Sequence, residues 1–149
     1  MMVHRFSVLA LVLLMGSTAV SAQSATAGRI KTATGAVRVL HAGSEFPAQA
    51  GQAVSQGDLI RTGRDGRIGL TLNDDTRLSL GPDSELRLDR FSYAPADGQL
   101  ALAFKLIRGV AAYVSGRIAK LAPDAIRIET PTAILGVRGT TLAIRAGSV

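Results

Sequence analysis

Between Gly57 and Leu88 the side chains alternate in character with a period of two, and turn residues interrupt the alternation at regular intervals. Ile68, Leu70 and Leu72 interleave with Arg67, Gly69 and Thr71. Beyond Asn73-Asp74-Asp75, Leu78 and Leu80 interleave with Arg77 and Ser79. Successive side chains of an extended strand point to opposite faces, so the leucines share one face and the arginines the other. Two such runs about a short Asn-Asp-Asp turn predict a β-hairpin. A surface helix instead needs an apolar stripe repeating every 3.6 residues, and no window of helical length supplies one.

The same grammar covers most of the chain. Strands are predicted over 36–40, 59–62, 67–72, 77–80, 86–88, 100–106, 110–114, 126–129 and 141–145, the last with Leu142 and Ile144 inward. Gln56-Gly57-Asp58, Gly63-Arg64-Asp65-Gly66 and Gly81-Pro82-Asp83 read as turns. Residues 41–55 read as a loop anchored by Phe46, 91–99 as a longer loop carrying Tyr93, and 117–121 as ambiguous. Turn signals recur about every 8 to 12 residues, as in all-β sandwiches and barrels. The expectation is one all-β domain of short, mostly antiparallel strands. It takes the form of a sandwich or a compact roll, with a β-solenoid-like stack as a variant.

The first residues read differently. His4 and Arg5 precede an unbroken apolar run from Phe6 to Met15, too short to span a bilayer, and Val20-Ser21-Ala22 offers small residues for signal peptidase. The pattern predicts a signal peptide over 1–22, cleaved after Ala22, and a periplasmic or secreted chain that does not span a membrane. Residues 23–34 are small and polar and read as a flexible N-terminal segment before a domain over 35–146. The sequence has no cysteine, so disulfides and thiolate metal sites are excluded.

The formal charge is +6, or +5 once Arg5 leaves with the leader. Candidate partners for such a chain are anionic envelope polymers, peptidoglycan or lipopolysaccharide, or a periplasmic or outer-membrane protein. Export and an aromatic content of 4% argue against nucleic acid. The basic residues are dispersed, mostly one per strand, so a simple solvated face remains an alternative.

Four segments in order carry a family resemblance: Gly-Asp-Leu-Ile-Arg-Thr-Gly (57–63), Leu-Asn-Asp-Asp-Thr-Arg-Leu-Ser-Leu-Gly-Pro-Asp-Ser (72–84), Leu-Ile-Arg-Gly (106–109) and Thr-Pro-Thr-Ala-Ile-Leu-Gly-Val-Arg-Gly-Thr (130–140). Together they resemble the FecR domain, over about Gly35 to Arg145. The resemblance implies an extracytoplasmic all-β module. In the regulators that name the family, such a domain relays a signal from an outer-membrane TonB-dependent receptor to a cytoplasmic sigma factor. Those regulators carry a cytoplasmic region and a transmembrane helix before the domain. With the expected leader in their place, the resemblance implies a free periplasmic module in envelope sensing or signalling.

The signature positions are Gly57, Asp58, Arg61, Thr62, Gly63, Asp75, Thr76, Gly136, Arg138, Gly139 and Thr140. Arg138, set between two glycines in an apolar stretch, is expected to be partly buried and to need a carboxylate, with Asp58 and Asp75 as candidates. Arg61 is expected to form a similar fold-defining pair. Asn73-Asp74-Asp75 reads as a hairpin turn, with calcium as the alternative. A candidate interaction surface comprises Arg64, Arg67, Arg77, Arg87, Phe91 and Tyr93, with free strand edges open to β-augmentation.

Catalysis has little support in the residues. His41 stands alone in an expected loop, Ser115 and Lys120 lack an orienting group, and Glu85 with Asp89 share a strand face, where a paired-carboxylate glycosidase needs a cleft as well. The expectation is a non-enzymatic binding module without cofactor or metal. A hydrolase is the remote alternative, alongside polymer binding.

Overall fold

The computed structural model describes residues 25–147. The expected signal peptide over 1–22 lies outside the described residues. Among the described residues twelve strands form one sheet: β1 (Thr26–Thr34), β2 (Val37–His41), β3 (Ser44–Pro47), β4 (Ala53–Ser55), β5 (Leu59–Thr62), β6 (Arg67–Leu72), β7 (Arg77–Leu80), β8 (Glu85–Ala94), β9 (Gln99–Val114), β10 (Ile126–Thr130), β11 (Ala133–Leu135) and β12 (Thr141–Ala146). A short helix, α1 (Arg117–Leu121), follows β9. The fold is all-β, and the sheet curls into a half-barrel.

Strand β9 organises the curl because it belongs to two wings. Its first part pairs with β8 antiparallel and with β10 parallel. Its last part, from Gly109 onward, pairs antiparallel with β7 and β12. The first wing therefore runs β3-β2-β5-β8-β9-β10-β11, and the second β4-β1-β6-β7-β9-β12. The turn from one to the other falls at Gly109, whose φ is +89°. A Cβ there would sit 2.1 Å from Ser84 Oγ and would also require a left-handed backbone.

Buried hydroxyls fasten this bend. The Val110 N–H donates to Ser84 Oγ at 2.9 Å. The Ser84 N–H donates to Thr62 Oγ1 at 2.9 Å, and the Thr62 hydroxyl donates to the Gly81 carbonyl at 2.6 Å. Each satisfies a backbone group that leaves the regular ladder where the strand turns.

The inward faces meet in one core. Val39, Ile60, Leu86, Leu102 and Phe104 come from the first wing, and Ile30, Leu70, Leu72, Leu78 and Tyr113 from the second, all nearly inaccessible. Phe104 and Tyr113, on opposite sides of the bend in the same strand, have ring centroids 6.2 Å apart. Full burial of each large side chain contributes about 1.5–3 kcal/mol, so the core holds the curl closed.

Several expectations need correction. From Thr26 the supposedly flexible 23–34 segment is strand β1, held between β4 and β6 with Ala27 and Ile30 buried. A register shift between Ile30 and Thr32 breaks its alternation and hides it from a period-two reading. The expected loop at 41–55 contains two short strands, β3 and β4, and the expected loop at 91–99 begins as a continuation of β8 to Ala94. The two strands read on either side of Gly109 are one strand of 16 residues. The ambiguous 117–121 segment is helical, with Ile118 as its buried anchor.

Candidate functional site

Most signature residues hold the scaffold. Asp58 is buried, accepts the Ser55 N–H at 2.8 Å on Oδ2, and lies 2.5 Å from His41 Nδ1 through Oδ1. Its backbone carbonyl accepts the Leu88 N–H at 3.0 Å, and the Gly57 N–H donates to the Leu88 carbonyl at 2.7 Å. The turn before β5 is thus tied to both β8 and the end of β2. His41 is not in a loop but ends β2. Thr62 serves the bend described above. Gly63 donates to the Ala36 carbonyl at 2.8 Å and accepts from the Asp83 N–H at 3.0 Å.

Asp74, which the sequence places only in the Asn-Asp-Asp turn, has a larger role in the structure. It is fully buried, accepts the Thr76 N–H at 3.1 Å and hydroxyl at 2.7 Å, and accepts the Ile118 N–H at 3.2 Å. Its carbonyl accepts the Arg117 N–H at 2.7 Å. The Asn-Asp-Asp turn is therefore a hairpin turn that also caps α1, and both Asp74 carboxylate oxygens are already engaged. A Cβ at Gly116 would fall 2.3 Å from Thr76 N, so only glycine lets the helix approach this turn. The Tyr113 hydroxyl is buried without a partner. Burial, with the Asp74 charge adding, pushes its pKa up to about 12.

The Gly136–Thr140 signature behaves otherwise. It forms the connection between β11 and β12, and Arg138 is exposed rather than partly buried. Neither expected carboxylate reaches Arg138: Asp58 binds His41, and Asp75 pairs with Arg117 at 3.0 Å. Gly139, at φ +115°, permits the turn, and the Thr140 carbonyl accepts the Ser115 N–H at 2.8 Å. Beside this loop, β11 pairs among the described residues only with β10 and exposes Ile134 at 64%. Arg61 does form an ion pair, with Glu85 at 3.4 Å, but at the surface.

The six residues expected to form one interaction surface are dispersed. Arg67 and Arg77 lie on the outer face of the second wing, opposite the buried leucines of β6 and β7. Arg87 lies on the first wing and pairs with Asp89. Its pKa is raised by the hydrogen bond to Asp89, then by the charges of Asp89 and Glu129. Arg64 sits in the turn between β5 and β6. Phe91 and Tyr93 are half-buried against the core, and the Arg117 pKa is raised, first by the neighbouring Tyr93 hydroxyl and then by Asp75.

The proposed catalytic pairs are not assembled. Ser115 and Lys120 line one depression with Arg77 and Arg117, but the Ser115 hydroxyl reaches the Thr140 carbonyl at 3.4 Å. Glu85 is engaged by Arg61 and Arg108, each at 3.4 Å, and Asp89 by Arg87.

The two wings differ sharply on their outer faces. On the first, Arg38 pairs with Glu45 at 3.1 Å, Arg61 and Arg108 share Glu85, Arg87 pairs with Asp89, and Arg127 pairs with Glu129 at 2.5 Å. On the second, strand pairing aligns Thr32, Gly69, Ser79, Ala112 and Ala143 in one row across five strands. The row on one side carries Arg67 and Arg145; the row on the other carries Arg29 and Arg77. Among the described residues none of these four arginines pairs with a carboxylate.

Comparison with protein families matches residues 58–148 to the family described as FecR protein. The match starts at Asp58, so β1 to β4 precede it, although they complete both wings. No curated protein and no solved structure matches the chain.

Proposed function

The chain belongs to the FecR family, and from that premise we propose that it is a non-enzymatic sensing module that docks a protein partner in the bacterial envelope. The family is associated with the envelope and is not a family of enzymes. No helix among the described residues is long and apolar enough to cross a membrane.

The observation that carries this reading is the division of the signature. Gly57, Asp58, Thr62 and Thr76 are consumed in buried hydrogen bonds or tight turns, whereas in Gly136–Thr140 only Val137 packs against the core and Arg138 stands exposed. An exposed arginine between glycines, beside the edge strand β11 with its exposed Ile134, suits recognition better than folding. A partner strand can extend the sheet at β11 through backbone hydrogen bonds, with Arg138 and Ile134 supplying selectivity.

Photo-cross-linking in intact cells tests it. A cross-linker at Ile134 or Arg138 is expected to capture one defined receptor or regulator of the envelope, and one at Arg38 to capture none. Equal labelling at all three positions, or none at any, overturns the reading.

A further inference from the structure

The outer face of the second wing is a cationic trough, and nothing in the sensing reading uses it. We infer that this face binds cell-wall peptidoglycan, a glycan strand laid across strands β1, β6, β7, β9 and β12 with the carboxylates of its peptide stems reaching the arginines on either side.

The floor is the aligned row of Thr32, Gly69, Ser79, Ala112 and Ala143, part of a groove of ≈ 410 Å³. Side chains this small leave a flat surface on which a sugar ring can lie, and the two hydroxyls can exchange hydrogen bonds with the ring's own. The row of Arg67, Gly81 and Val110 lines one side of this groove, and Arg145, Arg29 and Arg77 stand beyond it on the same outer face. Rows two residues apart are separated by about 7 Å, so the two arginine rows stand about 13–14 Å apart. Arg67 and Arg145 are three strand spacings apart, about 14 Å, and Arg29 and Arg77 two spacings, about 10 Å. The strand order that sets these separations runs β1-β6-β7-β9-β12.

Four features select the ligand. The three rows contain no acidic residue, so complementarity demands an anion. The cations are spread at separate corners instead of converging, which fits charges distributed along an extended polymer and not one phosphate group. The face presents valines, Val110 and Val114, as its largest apolar side chains, too little to seat acyl chains, so a glycolipid is disfavoured. A second copy of the chain would oppose cation to cation across this face.

The test is co-sedimentation of the purified chain with purified peptidoglycan sacculi. Wild type is expected to sediment at low salt and to be released near 0.5 M salt, where the screening length shrinks to a few ångströms. Arg67→Gln/Arg145→Gln is expected to weaken retention about tenfold or more, a loss of about 1.4 kcal/mol. The charge-matched Arg90→Gln/Lys105→Gln control, on the first wing, is expected to stay within about twofold. Ser79→Ile/Ala143→Ile leaves every charge in place and fills the floor. It is expected to weaken retention as well; full retention by this variant would overturn the trough as the site.

Equal losses in the two charge-matched variants, or retention at high salt, would overturn the electrostatic assignment. Failure to bind sacculi while binding lipopolysaccharide micelles, or an acidic protein only, would overturn the glycan. Circular dichroism of each variant separates lost binding from lost folding. Ile134→Asp, which should abolish the partner cross-link, is expected to keep sacculus binding, so the two proposals fail independently.

Discussion

Both wings of the sheet turn arginines outward, yet only one of them pairs most of its arginines with its own carboxylates. On the first wing Glu45, Glu85, Asp89 and Glu129 each meet a guanidinium. On the second, Arg67, Arg77 and Arg145 face solvent around a floor of small residues with no carboxylate among them. The difference does not lie in arginine content. It lies in which residues stand opposite one another, and strand register decides that. The first face meets most of its own electrostatic demand; the second keeps one that an external anion can meet.

The largest test of the comparison attacks the bend that separates the faces. Gly109→Ala places a methyl 2.1 Å from Ser84 Oγ in a backbone at φ +89°. Neither the strain nor the clash can be relieved without moving β8 or breaking the Thr62–Ser84–Val110 hydrogen bonds. A loss of about 3 kcal/mol or more is expected in denaturant unfolding. Gly98→Ala is the contrast: its φ is +67°, nothing lies within 4 Å, and it should cost only about 1 kcal/mol. Equal costs would mean that the bend is not specified at Gly109.

The second test makes the wings alike inside. Phe104 and Tyr113 face one another across the bend, but Tyr113 carries a buried hydroxyl without a partner. Tyr113→Phe removes a desolvated polar group and should raise stability by about 1 kcal/mol. The pH dependence has a definite sign. The folded pKa is about 12 against 10.0 for the ordinary phenol. Above pH 10 the unfolded chain gives up a proton that the folded chain keeps. Stability from this group is therefore complete below about pH 10 and falls as pH rises toward 12. The phenylalanine variant should lack that share of the alkaline loss; an identical alkaline profile in both proteins would refute the assignment.

How much of this was legible in the sequence follows from the range of each signal. Period two is local, so β6, β7, β10 and β12 were readable, as was the 73–75 turn. Strand β1 was not, because the register shift between Ile30 and Thr32 breaks its alternation. The two halves of β9 were read, but their union was not, since Gly109 resembles a turn until Ser84 is seen filling the space beside it. Asp58 and Asp74 were visible as turn residues, while their partners at His41 and Ile118 lie 17 and 44 positions away. The opposite fates of Arg87 and Arg67 depend on cross-strand neighbours, and no single-chain spacing reveals those. A signature stretch of glycines about an arginine looks the same whether buried or exposed, which is why Arg138 was misplaced.

The smallest expected effects sharpen the comparison most directly, because the two faces should respond with opposite sign. Removing a cation from the first wing breaks a pair: Arg127→Gln leaves Glu129 without its partner and should lower stability by up to about 0.5 kcal/mol, since exposed pairs contribute little. Removing cations from the second wing breaks none. Arg67→Gln/Arg145→Gln only reduces repulsion within a chain of charge +6, and should leave stability unchanged or raise it by a few tenths of a kcal/mol at low salt. Both effects should fade as salt is raised, because the side chains are exposed and the Debye length contracts. Urea midpoints at two salt concentrations resolve the sign. A second-wing variant that destabilises as much as the first-wing one would mean that its arginines already have partners, and the face would then have no charge to offer a ligand.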